Sequence, residues 1–229
     1  MFDEGEDIPE LIYGLIFAVE AEGTEPSPTE TDQQTQEGEE RGDEHIIGEI
    51  NYSDIASPPV PKDQREAILA LFESKIMFGY NNAFYGPFDN VLRGDVIEAI
   101  WRAAGSPEPK SKTSAYKDSD TFKKYSKPIR WATEKKIATG FSDGTFRPND
   151  PCTRGQIITF IWRFKGTPKA KSTKEVFKDV SKSNTFFNQI AWAAENGIAA
   201  GYSDKTFRPG KYCNRAQCAT FIYRALNVK

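Results

Sequence analysis

Histidine is almost missing: of 229 residues only His45 is one, so histidine acid–base chemistry and histidine-rich metal sites have no material. Cysteine is nearly as scarce. Cys152, Cys213 and Cys218 form neither a CxxC pair nor an even disulfide set, and Cys152 and Cys213 fall at equivalent places in two copies of one segment. They read as small buried apolar residues, with a Cys213–Cys218 or Cys152–Cys213 bridge as the alternative. Nothing has the pattern of a nucleophile–base pair, a phosphate loop or a metal cluster, so no catalytic residue, metal site or cofactor is expected. No apolar run approaches membrane-spanning length.

Basic charge is missing from the first part of the chain. Residues 1–44 carry fifteen carboxylates against Arg41 alone, a net −14 within a chain total of −3, which leaves +11 on residues 45–229. A basic body behind an acidic tail implies anionic partners. Residues 22–44 are rich in Glu, Thr, Gln and Pro and read as a disordered linker. "LIYGLIFAVEA" (Leu11 to Ala21) is a short apolar run with signal-like small residues, but an acidic segment precedes it. A degenerate signal, a misassigned start and a short amphipathic segment all fit it.

Repetition is what the chain has in abundance. "GFSDGTFRPNDPCTRGQ" (Gly140 to Gln156) returns as "GYSDKTFRPGKYCNRAQ" (Gly201 to Gln217) after 61 residues, and in degenerate form as "GYNNAFYGPFDNVLRGD" (Gly79 to Asp95). The same shift aligns Pro87, Pro148 and Pro209; Arg93, Arg154 and Arg215; and Trp101, Trp162 and Tyr223. An aromatic-x-Asp precedes each copy, ending in Asp54, Asp118 and Asp179. Apolar spacing predicts a helix before each loop, as in "FFNQIAWAAENGI", and one after it, as in "GQIITFIWRF". The fold class expected is mainly α: three tandem helix-loop-helix repeats of about 61 residues sharing one core, since one such unit makes a marginal core alone. The boundaries are an acidic tail over 1–47 and repeats over 48–108, 109–170 and 171–229.

Each part of the loop has a local reason. Asp143-Gly144 signals a turn, Phe146 a plug and Pro148 a stop, while "TRGQ" and "NRAQ" match a capping box. Lys205 stands in Gly144's place, so that turn either does not need positive φ or tolerates its cost. The arginine has no such reason: Arg93, Arg154 and Arg215 open their helices at the positive end of the dipole. Two partners fit, a structural carboxylate (the aromatic-x-Asp acid of a neighbouring unit, for one) or an anionic ligand.

The elements "FKDV" (Phe177 to Val180), "IAWAAENGI", "GYSDKTFRP" and "NRAQ" with "ATFIYRAL" resemble the S-layer homology repeat, over about residues 50–229. The resemblance implies a pseudo-threefold bundle that anchors a surface protein non-covalently to a bacterial cell wall. Its inter-repeat grooves would bind an anionic secondary cell-wall polysaccharide, often pyruvylated, in the cell wall or S-layer outside the cell. No enzyme, nucleic-acid partner or membrane span is implied. Carried over, the polymer-facing residues are Arg93, Arg154 and Arg215, with Asp143, Asp204, Gly79, Gly140 and Gly201 nearby. Further candidates are Arg147 and Arg208, as second anion contacts or as partners of Asp150 or a helix end, and Tyr80, Phe141 and Tyr202, as stacking platforms or core. The first repeat departs from the pattern at Asn82, Gly86 and Leu92, and the tetrad's usual acid is Gln156 and Gln217. Rival readings are a stand-alone S-layer-type structural module, an adhesin acting through the "RGD" of the tail at Arg41–Asp43 (the copy at Arg93–Asp95 being the repeat's own helix start), and calcium binding by Asp143 and Asp150.

Overall fold

The computed structural model describes residues 50–228, apart from 57–58, 119–122 and 173. The acidic tail, the Leu11–Ala21 run, His45 and the Arg41–Asp43 tripeptide lie outside the described residues. Six helices follow one another: α1 (Lys62–Glu73), α2 (Arg93–Ala103), α3 (Lys123–Glu134), α4 (Arg154–Phe164), α5 (Phe187–Glu195) and α6 (Arg215–Leu226).

The mainly helical reading holds, and the packing adds a relationship that periodicity does not contain. The two helices of a repeat do not pack on each other. The inner helices α2, α4 and α6 pack pairwise, and each outer helix lies on the inner helix of the preceding repeat: α3 on α2, α5 on α4, and α1 on α6, which closes the ring. Isoleucines of the inner helices (Ile97, Ile100, Ile158, Ile161, Ile222) are almost wholly buried in one core. Each repeat alone leaves an apolar face uncovered, so only the closed set of three completes the core.

Where the inner helices begin, the three loops meet in a cycle of backbone hydrogen bonds. Val91 N–H donates to Cys213 O (2.9 Å), Cys213 N–H to Cys152 O (3.0 Å), and Cys152 N–H to Val91 O (2.9 Å). Three segments of the chain converge here, so the position takes only small apolar side chains; all three are 0% exposed. The cysteines are free thiols, which removes the bridge alternative.

Local signals behave as their chemistry dictates. Thr153 and Gln156 form a complete capping box, whereas Asn214 accepts from Gln217 N–H without the reciprocal contact, and Leu92 offers no side-chain cap. Phe146, Phe207 and Tyr85 plug inward at 0% exposure. The turn does require positive φ: Gly144 has +80° and Lys205 tolerates +65°. Arg147 and Arg208 also sit at +59° and +60°, a conformation costing about 1–2 kcal/mol that Gly86 adopts freely at +73°.

Candidate functional site

The first-turn N–H groups of the inner helices are the natural anion seats, and here they are already occupied. Arg93, Arg154 and Arg215 donate their backbone N–H to Asp150 O, Lys211 O and Asp89 O at 2.9–3.0 Å. Gly94, Gly155 and Ala216 donate theirs to Pro148 O, Pro209 O and Pro87 O. Each donor comes from one repeat and each acceptor from the next loop around the ring. The loop proline therefore does more than stop an element: its carbonyl caps the neighbouring helix. The first two backbone donors of each inner helix are thereby taken, and an anion reaching these termini meets the side chains first.

The arginine side chains follow the same cyclic rule. Arg93 Nε donates to Phe146 O (3.1 Å), Arg154 Nε to Phe207 O (2.9 Å), and Arg215 Nε to Tyr85 O (3.0 Å). Each guanidinium lies among aromatic faces: Arg93 is 4.8 Å from Phe141 and 4.9 Å from Phe146, and Arg154 is 4.9 Å from Tyr202 and 4.6 Å from Phe207. Arg215 is 4.7 Å from Tyr80 and 4.9 Å from Tyr85. Exposure falls to 3–4%, so these cations are held by carbonyls and ring quadrupoles in a desolvated setting. Burial pushes the Arg93 pKa down, yet a guanidinium keeps its proton.

The aromatic-x-Asp acids are not the arginines' partners. Asp118 accepts from Phe146 N–H and Arg147 N–H, both at 2.7 Å, and Asp179 and Asp54 do the same for Phe207–Arg208 and Tyr85–Gly86. They brace the loop within their own repeat. A structural carboxylate reaches only one arginine: Asp95 lies 3.5 Å from Arg215. Among the described residues, no carboxylate comes within ion-pair distance of Arg93 or Arg154.

Asp143 and Asp204 are clasped by their own loops. Asp143 accepts from the Thr145 hydroxyl (2.6 Å) and pairs with Arg147 (2.7 Å), and Asp204 does the same with Thr206 and Arg208. Arg147 and Arg208 thus take Asp143 and Asp204 as partners, not Asp150. The Thr206 hydroxyl, then Arg208, hold the Asp204 carboxyl at about 2. Asp143 is pulled well below the carboxylate range by the same pair of contacts. Repeat 1 lost this clasp as a unit, with Asn82, Phe84 and Gly86 in place of Asp, Thr and Arg.

These pieces border a groove of about 230 Å³ lined by Arg93, Gly140, Phe141, Gln156, Thr159 and Arg163, among others. Residues of two successive repeats meet there, and Phe186 of the third also lines it. Arg163 belongs to the groove lining although the sequence had singled out Arg93, Gly140 and Phe141 there; the signal was its place in the aromatic–arginine pair (Trp101-Arg102, Trp162-Arg163, Tyr223-Arg224) that recurs near each inner helix end. Repeat equivalence puts Arg154, Gly201, Tyr202, Gln217 and Thr220 in a second such place. The third is headed by Arg215, Gly79 and Tyr80, and burial first of all pushes the Tyr80 hydroxyl up to about 12. The tripeptide Arg93–Asp95 is the buried start of α2, with Arg93 3% exposed, and so offers no adhesion epitope.

Residues 115–158 and 176–219 match the family described as the S-layer homology domain. The chain is 27% identical over 179 residues to "Cell surface glycoprotein 1" of Acetivibrio thermocellus, covering 73% of this chain and 8% of that protein. It is 37% identical over 97 residues to "Cell surface protein" of Thermoanaerobacter kivui, covering 41% and 13%. It is 26% identical over 155 residues to "Cellulosome-anchoring protein" of A. thermocellus, covering 65% and 34%. The chain therefore spans about a third or less of these relatives. The two matched segments begin 61 residues apart, the period that the loops and the arginines share, and together with the geometry they identify residues 115–158 and 176–219 as S-layer homology domains.

Proposed function

We propose that the body of this chain, residues 48–229, anchors a surface protein to a bacterial cell wall by binding an anionic secondary wall polysaccharide, with pyruvylated sugars the fitting class. Repeat 1 is the third S-layer homology repeat in this reading, and the chain acts outside the cell without catalysis. One observation carries it: Arg93 and Arg154 are cations 3–4% exposed that have no carboxylate partner among the described residues, and an open inter-repeat groove is lined by Arg93 and Arg163. A desolvated cation without a counter-ion is costly, and an oxyanion in the groove would offset that cost. In this reading the loop aspartates hold the loops' shape rather than touch the polymer, because Thr145, Thr206, Arg147 and Arg208 already engage them and Asp143 does not line the groove. The names of the relatives, two surface proteins and an anchoring protein, favour the same role.

Co-sedimentation with purified wall sacculi tests it. Sacculi that retain their polymer should pellet the protein, and sacculi stripped of non-peptidoglycan polymer should not. Equal pelleting on both would overturn the polysaccharide assignment.

A further inference from the structure

The three grooves are related by sequence but not by charge. At the position where α4 has Thr159 and α6 has Thr220, α2 has Glu98. Where α4 and α6 have Gln156 and Gln217, α2 has Asp95. Thr159 and Thr220 hydroxyls donate to carbonyls of their own helices, Gly155 O and Ala216 O, and bring no charge. Glu98 and Asp95, by contrast, build a network. Glu98 pairs with Arg102 (2.9 Å) and Lys124 (3.1 Å). Asp95 pairs with Lys124 (3.4 Å) and Arg215 (3.5 Å) and accepts from the Tyr125 hydroxyl (2.8 Å). In this groove the heading arginine, the helix-end arginine and an added lysine all have carboxylates of the chain itself.

The same roles end differently elsewhere. The helix-end arginine of α6, Arg224, pairs with Asp63 of α1 at 2.9 Å, while among the described residues Arg154, the heading arginine of the equivalent place, meets neutral groups: Phe207 O, the Gln217 side chain (3.2 Å) and aromatic rings. In the groove of about 230 Å³, neither role has a carboxylate partner among the described residues: Arg93 binds Phe146 O and Arg163 binds Ile137 O (3.3 Å). Asp150 acts on Arg93 only from beyond ion-pair distance, after burial as the larger influence.

We infer that the grooves are graded receptors for oxyanions of the wall polymer: the Arg93/Arg163 groove is the principal site, the Arg154/Arg224 groove a weaker second, and the Arg215/Arg102 groove is closed by Asp95, Glu98 and Lys124. This ranking rests on the wall-polymer reading above. Its physical basis is that an incoming anion gains most where a buried cation, Arg93, and a half-buried one, Arg163, face the same groove. Where internal carboxylates already neutralise the cations, it must break existing pairs.

The test compares three equivalent substitutions in the full chain, Arg163→Gln, Arg224→Gln and Arg102→Gln, by binding isotherms on polymer-bearing sacculi. Arg163→Gln should weaken binding about tenfold or more, Arg224→Gln about threefold, and Arg102→Gln less than about twofold. Thr159→Glu supplies a second probe: it transplants the Glu98–Arg102 pair onto Arg163, into a place whose equivalent already accommodates glutamate, and should also cost about tenfold. Thermal melts of each variant separate lost binding from lost folding. Arg102→Gln costing as much as Arg163→Gln, or Thr159→Glu binding normally, would overturn the ranking while wild-type binding stands. A wild type indifferent to polymer stripping would instead sink the reading beneath it.

Discussion

The Tyr116 hydroxyl accepts the Gly140 N–H at 2.8 Å, and its ring lies so close that a Cβ on Gly140 would come within 2.2 Å of it. The glycine opening this loop is therefore required by the aromatic-x-Asp element of its own repeat, independently of any ligand. The Thr145 carbonyl would lie 2.5 Å from the same Cβ, so backbone as well as ring stands in the way.

Gly140→Ala should accordingly destabilise the body by about 1–3 kcal/mol through overpacking. Urea unfolding would read it as a lower midpoint at unchanged slope. A loss below a few tenths of a kcal/mol would mean that the Tyr116 ring moves aside.

The cysteine axis makes a second prediction. Burial pushes Cys152 and Cys213 up to about 12, and Cys218 well above its ordinary value. Thiolate is the reactive form, so the native protein should resist Ellman's reagent and yield all three thiols only in denaturant. Cys152→Val should fold normally, because Val91 fills the equivalent place in the first repeat. Cys152→Leu, which adds volume where three segments of the chain meet, should cost about 1–3 kcal/mol in the same unfolding assay.

Asp95 gives the stability an acid dependence. Burial alone would raise its pKa, but Lys124, Arg215 and the Tyr125 hydroxyl together outweigh that and hold it below the usual carboxylate value. A depressed folded pKa means stabilisation that is present above the unfolded value of about 3.9 and is lost as pH falls through the folded value. Asp95→Asn should lower stability at neutral pH by about 3 kcal/mol, by leaving the buried Arg215 without its carboxylate and Lys124 with Glu98 alone. The gap between wild type and variant should narrow below about pH 4. A gap that stays constant down to pH 2 would show that the carboxylate charge is not what Asp95 contributes.

Asp118→Ala removes an acceptor shared by two backbone N–H groups, and the loop carrying Phe146 loses its brace. A cost of about 2–3 kcal/mol is expected, since hydrogen bonds to charged groups are the stronger kind. The mark of this mechanism is faster amide exchange at Phe146 and Arg147, with α1 unaffected. Uniform exchange would point to global loosening instead.

The parts that were legible from residues are those with local causes. The 61-residue period, the Thr153 cap, the Phe146 plug and the helical faces each follow from spacing or side-chain type within one repeat. The arginines' partners were not legible because they are carbonyl oxygens, which every residue has, and they belong to the next repeat. The aromatic-x-Asp acid has the charge of an arginine partner, but its real work, accepting loop N–H groups, depends on a turn whose geometry no spacing reveals. Glu98 could have been noticed, since it alone breaks the threonine register at Thr159 and Thr220, but its meaning needed Lys124 from the outer helix beside it.

The docking of α1 on α6 has one more consequence. A ring in which every outer helix rests on the preceding inner helix has no structural first member; the covalent gap merely falls between the third repeat and the first. The order of the units should therefore be rotatable: a circular permutant joined across that gap and opened in the segment after α2 keeps every pairing of helices and loops. Its folding rate would change with the new loop closures, while the equilibrium fold and the arginine-headed grooves would persist.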